Sequence, residues 1–388
     1  MNTIDQAELY RFHAFLLADR GRTESYEKAI AQVVRPGDVV LDVGTGTGIL
    51  AFFACRAGAR KVYAVEASPA IQLAQRVSER NGFQDRVVFL NDFSFNVSLP
   101  ESVDVIVTET GETFGLQGGV LGSLLDAKRR FLREGGKVMP RSLELFIAPV
   151  EMAEAYHAVD TWTQGLYGFD FSPVRTLAAN NAYPVKPKSP NLLGEPASLV
   201  RLSFSEMEGT YVKGVAICIA SRAGVLHGLC GWAVTELIPG ITFSNSPVTP
   251  NVEWAQSFLP LETPLALASG DTVSVTVTSN DGAVWRWQVE VDARLDAGKG
   301  RGTQTKKFDH STFSGSPSLH AGLSRPASIY KPKLSRQGEA ARFLLSTFNG
   351  RKTIEELEKE LLRRYGDVFP SPATASRFLA RMSRFADR

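Results

Sequence analysis

Residues 40–68, VLDVGTGTGILAFFACRAGARKVYAVEAS, decide the fold of this chain. The segment begins as an apolar strand that contains Asp42 and passes through Gly44, Gly46 and Gly48. It continues through a helical pattern into a second apolar strand, which ends at Glu66. Because glycine lacks a Cβ atom, its backbone can turn sharply and approach a ligand closely. The order strand, glycine loop, helix, strand predicts an α/β domain whose first loop binds a ligand.

The spacing of the glycines indicates the type of ligand. The dinucleotide fingerprint is G-x-G-x-x-G, but Ile49 stands at its last place, so the pattern here is G-x-G-x-G. After an acid, this pattern fits a nucleoside without a pyrophosphate, namely S-adenosylmethionine, and Glu66 can accept hydrogen bonds from both ribose hydroxyls. Asp92 and Phe93 close the following strand, where an adenine would lie, unless they are ordinary loop residues. The alternative for the glycines is a tight strand–helix turn that holds nothing.

The rest of the chain divides by periodicity. Up to about residue 142, short apolar runs alternate with helical patterns, which indicates βαβ units, whereas strongly alternating runs from Leu143 indicate an antiparallel sheet or barrel. The predicted fold is α/β, a class I Rossmann-like methyltransferase domain followed by an antiparallel β-barrel domain and a small C-terminal helical, winged-helix-like domain. The predicted segments are N-terminal cap helices (1–30), the cofactor domain (31–142), the barrel (143–295) with an arm (about 155–195), a linker (296–335) and the helical domain (336–388).

Composition argues against several classes of protein. The 388 residues carry a formal net charge of +2, so nucleic acid is a poor candidate partner. No apolar run reaches the roughly 18 residues of a membrane span, and no signal-peptide pattern opens the sequence, so we expect a cytoplasmic protein. Cys55, Cys218 and Cys230 lie apart in apolar surroundings. We therefore expect buried thiols in a reducing compartment, with no disulfide and no metal site.

The glycine segment resembles the cofactor segment of the protein arginine methyltransferases. Upstream, HAFLLADRGRTESYEKAI (13–30) is similar to the N-terminal helix of that family, and the resemblance assigns His13 and Arg22 to the carboxylate of the cofactor. WTQGLYGFDFSPV (162–174) resembles the dimerisation arm of the family, and VLHGLCGWAVTEL (225–237) resembles its barrel strands. The resemblance implies a homodimer that transfers a methyl group from S-adenosylmethionine to a terminal nitrogen of arginine, either free or within a peptide.

The acceptor site departs from the family pattern. The family clamps the guanidinium between two glutamates after the fourth strand; Glu109 matches the first, but the second falls on Gly118. Two acids could substitute: Glu112, three residues after Glu109, and Glu253, which stands at the histidine of the Thr-His-Trp loop of the family. We favour Glu253 because that loop borders the same pocket. Either acid could instead be a solvated loop charge.

The missing glutamate leaves two other functions open. One is methyl transfer to another small-molecule nucleophile, and the other is a non-catalytic binding protein with a degenerate fold of this family. The retained cofactor residues argue against the second, because a decayed site should lose them as well.

The C-terminal segment YKPKLSRQGEAARFLLSTFNGRKTIEELEKELLRRYGD (330–367) resembles PqqD-like winged-helix modules, which hold leader peptides. Within it, Thr353 and Glu356 predict a helix capping box. A structural cap over the site or a dimer contact are the alternatives for this segment.

Overall fold

The computed structural model describes residues 6–109, 111–116, 118–188, 191–249, 254–294, 303–316 and 334–383. The chain forms two compact units, Met1–His320 and Ala321–Arg388.

The first part of the larger unit is a doubly wound α/β domain. Strands β1 to β5 form one parallel sheet in the order β3-β2-β1-β4-β5, and all five residues of the central strand β1 are buried. The helices agree closely with the predicted patterns. The elements are α1 (Gln6–Ala18), α2 (Arg20–Val33), β1 (Val39–Val43), α3 (Ile49–Arg56), β2 (Lys61–Val65), α4 (Ala70–Arg80), β3 (Val87–Leu90), β4 (Val103–Thr108), α5 (Val120–Phe131) and β5 (Leu132–Met139).

The strand order determines where a ligand binds. The chain moves outward from β1 to β2 and β3, and then returns to the other side of β1 as β4. Connections that leave β1 in opposite directions open a crevice at the carboxyl ends of the strands, which is the usual ligand site of such sheets. The residues that follow β1, β2, β3 and β4 therefore face one cleft.

The second part of this unit is antiparallel. One sheet has the order β7-β12-β10-β6-β8, with β11 paired to β10, and the other has the order β15-β14-β13-β9. Among the described residues no strand pairing closes these sheets into a single hydrogen-bonded barrel, so the predicted barrel is open. The elements are β6 (Ser142–Val150), α6 (Ala153–Asp160), α7 (Ser172–Ala179), β7 (Tyr183–Val185), β8 (Ala197–Ser203), β9 (Tyr211–Ile219), β10 (Gly224–Ile238), β11 (Ile241–Ser244), β12 (Gln256–Leu267), β13 (Thr272–Asn280), β14 (Val284–Arg294) and β15 (Thr303–Ser311).

Strand β15 lies inside the segment predicted as a linker, 296–335. It pairs with β14 over nine positions, from Arg294↔Thr303 to Arg286↔Ser311. Only its inner face packs: His310 is buried and stacks on Trp287. Its outer face carries charges, including Lys307, which pairs with Glu290 across the strands. An edge strand with one polar face has too few apolar residues to show alternation in the sequence, which explains the difference.

The smaller unit is helical over its described residues, 334–383. It contains α8 (Arg336–Thr347), α9 (Ile354–Tyr365) and α10 (Pro372–Met382) around Leu344, Leu361 and Phe378. The capping box predicted at Thr353 and Glu356 is present at the start of α9. No strand accompanies these helices in the described part of the unit, so the wing of a winged helix is not seen there.

Three smaller expectations concern burial, membranes and metals. Cys55, Cys218 and Cys230 are free and buried, which confirms their predicted burial. No helix of the described segments is long and apolar enough to cross a bilayer. In the same segments, no group of three or more histidine, cysteine and acidic side chains is arranged to hold a metal ion.

Candidate active site

The glycine loop joins β1 to α3 and requires glycine for two reasons. Gly44, Gly46 and Gly48 have φ angles of 77°, 55° and 90°, in the left-handed region that side chains disfavour. At Gly48 a Cβ atom would lie 2.6 Å from the ring of Phe52, so α3 packs directly on the loop. At Gly44, in contrast, a Cβ atom would meet nothing within 4 Å. The first glycine therefore leaves open space where a ligand can approach the backbone.

Asp42 fixes the shape of this loop through side-chain hydrogen bonds. Its carboxyl group is fully buried, and Oδ2 accepts hydrogen bonds from the Thr45 hydroxyl at 2.6 Å and from the Ala51 amide at 3.1 Å. Its second oxygen, Oδ1, has no partner among the described residues. Burial raises the pKa of Asp42 to about 7, although both hydrogen bonds oppose the shift. The acid thus holds the loop against α3 at an electrostatic cost.

Glu66, after β2, is held beside the loop. Its two carboxylate oxygens accept the amides of Gly46 at 3.0 Å and Ser68 at 2.8 Å, which leaves further lone pairs for hydroxyl donors. His13 of α1 lies over the same glycine, with Cε1 only 3.0 Å from where a Cβ of Gly46 would stand. Burial lowers the pKa of His13, and the nearby Glu66 opposes that shift. His13 and Glu66 therefore flank the glycine loop together.

Arg22 links the start of α2 to Glu109 after β4. It is 5% exposed, and Nη2 donates to the Leu16 carbonyl at 2.7 Å. Nη1 lies 3.6 Å from Oε2 of Glu109, while Nε has no partner in the described part of the chain. A buried guanidinium with an uncommitted donor can receive a carboxylate, because its planar fork matches that group.

Glu109 follows β4 and is largely buried. Its Oε1 accepts the Gly111 amide at 2.6 Å, and burial raises the pKa of Glu109 while Arg22 opposes the shift. The preceding Thr108 is tied on both sides: its hydroxyl donates to the Val43 carbonyl at 2.9 Å, and its carbonyl accepts the Tyr26 hydroxyl at 3.1 Å. These bonds fix the end of β4 against β1 and α2, and so fix the position of Glu109.

A cleft of about 280 Å³ opens beside these residues. Glu112 lines it and is exposed, whereas Glu253, the acid we favoured from the sequence, lies outside the described residues. Trp254 forms another wall, and its indole Nε1 is buried without a partner in the described structure. Asn245 holds this wall in place, since its amide donates to the carbonyls of Thr113 at 3.0 Å and Ala255 at 2.8 Å.

The position of the missing glutamate faces a different part of the molecule. Gly118 is exposed, and a Cβ atom there would lie 3.2 Å from Cα of Ala283 in the β13–β14 turn. The next residue, Gly119, donates its amide to the Asp281 carbonyl at 2.9 Å. Position 118 therefore packs on this turn and does not line the cleft.

Asp92 and Phe93 follow β3, as predicted, and the hydrogen bonds of Asp92 include local ones. Oδ1 of Asp92 accepts the amide of Phe93 at 2.8 Å and the side-chain amide of Asn96 at 2.9 Å. Phe93 is 63% exposed. These hydrogen bonds are those of a turn, and the position of the pair after β3 is the one predicted for an adenine.

Sequence reasoning missed three residues that line the cleft, Asp19, Asn245 and Trp254, and also Tyr26, which supports Thr108 from behind the cleft. Asp19 caps α2, since its Oδ1 accepts the Arg22 amide at 3.2 Å. An aspartate directly before a helical pattern is an N-cap signal, which could have drawn attention to this acid. The other three are positioned by tertiary contacts that leave no local signal.

Together, this fold and site define a doubly wound methyltransferase that uses S-adenosylmethionine. The chain matches the models of the arginine methyltransferase oligomerization subdomain over residues 141–297 and of ribosomal protein L11 methyltransferase over residues 22–138. It is 33% identical over 283 residues to protein arginine N-methyltransferase 6 of Xenopus laevis, which covers 69% of this chain and 82% of that protein. It is 30% identical over 301 residues to protein arginine N-methyltransferase 2 of Homo sapiens, which covers 72% and 69% of the two chains.

Solved structures agree with these sequence matches. The Trypanosoma brucei PRMT1 enzyme–prozyme heterotetrameric complex with AdoHcy superposes with a TM-score of 0.68 at 25% identity, covering 78% of this chain and 98% of that one. Arabidopsis thaliana protein arginine methyltransferase 10 shares the fold, with a TM-score of 0.65 at 22% identity over 77% and 97% of the chains. The chain belongs to the protein arginine N-methyltransferase family.

The residues present fit S-adenosylmethionine. The open backbone at Gly44 can accommodate the close approach of a ligand, and the uncommitted Nε of Arg22 can receive its carboxylate. The carboxylate of Glu66 is fixed by two backbone amides, and so is oriented to accept ribose hydroxyls. The three groups lie at the ends of β1, α2 and β2 around one cleft.

The pKa of Asp42 predicts a pH dependence of stability. A raised pKa favours the protonated form in the folded state, so the contribution of Asp42 to the free energy of unfolding is present at low pH. It is lost as the pH rises from the unfolded value of about 4 through about 7. Between about pH 5 and pH 8, the wild type should lose roughly 2–3 kcal/mol of unfolding free energy relative to Asp42→Asn. Denaturant unfolding of the cofactor-free proteins across this range measures the difference, and parallel curves would contradict the assignment.

Glu66 should contribute directly to cofactor affinity. Glu66→Ala removes two charge-assisted acceptors and should weaken binding of S-adenosylmethionine by about 1–3 kcal/mol. Titration calorimetry measures this change, with Glu79→Ala on the exposed face of α4 as the matched control. Equal affinities of the wild type and Glu66→Ala would show that this carboxylate does not hold the ribose.

Proposed function

We propose that this protein transfers a methyl group from S-adenosylmethionine to a terminal guanidino nitrogen of arginine within a polypeptide. Family membership supports the reaction, and the single observation that carries the acceptor assignment is the buried carboxylate of Glu109 at the end of β4. Relatives named protein arginine N-methyltransferases support a polypeptide over free arginine as the acceptor.

The chemistry of arginine explains why Glu109 is needed. A guanidinium stays protonated at neutral pH, and its lone pairs are delocalised into the planar cation. Bound S-adenosylmethionine supplies an electrophilic methyl group on a sulfonium centre. Glu109 accepts N–H bonds from the cation and so orients one terminal nitrogen toward the methyl group. As the new N–C bond forms and the methyl–sulfur bond breaks, leaving a neutral thioether, this nitrogen loses a proton, for which the carboxylates of the cleft are acceptors.

Glu109 must be ionised for this role. Because burial raises its pKa, the acidic limb of the pH–rate profile should lie above the range of an ordinary glutamate. The neighbouring Arg22 opposes this shift.

Removing the charge of Glu109 tests the proposal. Glu109→Gln keeps the shape of the side chain but leaves a buried cation half paired, so methylation of arginine peptides should fall by roughly 10²-fold or more. Rates with arginine peptides, free arginine and lysine peptides should be measured in parallel, with products identified by mass. Glu134→Gln, an exposed change on β5, is the matched control. An undiminished rate in Glu109→Gln would show that the guanidinium binds elsewhere.

We further infer that the protein acts as a homodimer. The arm predicted over about 155–195 contains α6 and α7, and between them Tyr167 is 94% exposed, Phe169 67% and Phe171 36%. Adjacent exposed aromatic side chains of this size are typical of protein interfaces. The match of residues 141–297 to an oligomerization subdomain supports a second copy of this chain as the partner.

The dimer proposal has a direct test in solution. Light scattering coupled to gel filtration should give twice the monomer mass at micromolar concentration. The double change Tyr167→Ser and Phe169→Ser should weaken association by at least about tenfold, because aromatic anchors dominate such interfaces. Tyr211→Ser, which alters a 66% exposed aromatic residue on β9, is the control. A monomer mass for the wild type at tens of micromolar would contradict the proposal.

A further inference from the structure

Among the described residues, Glu109 is the one largely buried glutamate beside the cleft, whereas a guanidinium needs acceptors on two sides. Glu109 supplies the first, but position 118 packs on the β13–β14 turn and cannot supply the second. A planar cation with five donors that is removed from water requires further acceptors. Another acid of the cleft must therefore complete the site, if the proposed function is correct.

Asp19 is placed to be that acid. It precedes α2, is 8% exposed and lines the same cleft as Arg22, Glu112 and Trp254. Its Oδ1 accepts the Arg22 amide, and no side chain of the described residues donates a hydrogen bond or an ion pair to Asp19. One carboxylate oxygen is thus fixed by the backbone, while the other remains available to a ligand.

Asp19 also lies close to Glu109. Its negative charge is near enough to raise the pKa of that glutamate, although less strongly than burial does. Arg22, which carries the positive charge of this wall, is already 3.6 Å from Oε2 of Glu109. Asp19 and Glu112 line the cleft together with Arg22, and Glu109 lies beside Arg22, so among the described residues acids outnumber bases here. A cation is therefore the ligand that this part of the cleft favours.

Among the described residues Glu112 is the competing candidate, and its setting is less suitable. It is exposed, and within the described residues no hydrogen bond or ion pair fixes its side chain. Burial raises the pKa of Glu112, but its side chain is not anchored, so holding it against a cation costs side-chain entropy. The carboxylate of Asp19 is already ordered by the helix start and already shielded from solvent.

We propose that Asp19 is the second carboxylate of the acceptor site and contacts the guanidinium from the start of α2, opposite Glu109 at the end of β4. This inference rests on the proposed function and names a residue that touches the substrate. It implies that the acceptor clamp is built from two walls of the cleft, and so depends on how α2 is held against the sheet.

Two neutral variants test the inference without disturbing the helix. Asparagine and serine cap helices about as well as aspartate, so Asp19→Asn and Asp19→Ser should keep α2 and Arg22 in place. Asp38→Asn is the matched control, because Asp38 also accepts a backbone amide, that of Arg35, in the turn before β1. The KM for an arginine peptide should rise at least about tenfold in both Asp19 variants, while the affinity for S-adenosylhomocysteine stays within about twofold of wild type.

A binding measurement separates recognition of charge from a structural effect. With S-adenosylhomocysteine present, the wild type should bind an arginine peptide more tightly than the matching citrulline peptide, which is neutral and of similar shape. Asp19→Asn should reduce this preference about tenfold, and Asp38→Asn should keep it.

Three outcomes would count against the inference. An unchanged KM and an unchanged arginine preference in Asp19→Asn, with Glu109→Gln inactive, would overturn the role of Asp19 and leave the proposed function intact. A parallel loss of cofactor affinity would overturn it as well, because Asp19 would then act through Arg22. A wild-type protein that methylates no arginine substrate would overturn both proposals.

Discussion

The ion pair between Arg22 and Glu109 is the contact on which the site depends. It joins a helix that precedes the sheet to the end of the fourth strand, two elements 87 residues apart in the chain. The two residues suit different ligands: Nε of Arg22, which has no partner among the described residues, suits the cofactor, and the carboxylate of Glu109 suits the acceptor. The hydrogen bond from the Tyr26 hydroxyl to the Thr108 carbonyl also holds α2 against the end of β4. Without these two contacts, the distance between the start of α2 and the end of β4 would not be fixed.

Position 118 shows how a motif can be lost without loss of the fold. A side chain at Gly118 would crowd Cα of Ala283 at 3.2 Å, so the β13–β14 turn now occupies the space that a larger residue would need. Asp281 in this turn accepts two hydrogen bonds: its carbonyl accepts the Gly119 amide, and its side-chain Oδ1 accepts the Gly122 amide at 3.0 Å. The start of α5 is therefore anchored by the antiparallel part of the molecule. Restoring a glutamate there would require the turn to move.

The sequence was most informative where the residues of the site lie close together along the chain. The glycine loop, Asp42 and Glu66 could be placed because strand, loop and helix follow one another directly, and the helices of the α/β domain matched their apolar periodicity. Strand β15 could not be predicted because only one of its faces is packed. Asp19 could be read as a helix cap, but its place in the cleft depends on the angle at which α2 crosses the sheet. That angle is determined by buried contacts such as those of Tyr26, which leave no pattern in the sequence.

Strand β15 also bears on where this enzyme can be divided. The match to the oligomerization subdomain ends at residue 297, before β15 begins at Thr303. A fragment that stops at this boundary would leave β14 as the sheet edge, with its backbone amides and carbonyls unpaired and Trp287 stripped of the stacked His310. Such an edge is a template for pairing with other chains and for aggregation. The smallest fragment that keeps β14 fully paired therefore extends past Ser311. Its end lies well inside a stretch whose composition alone would suggest a dispensable spacer.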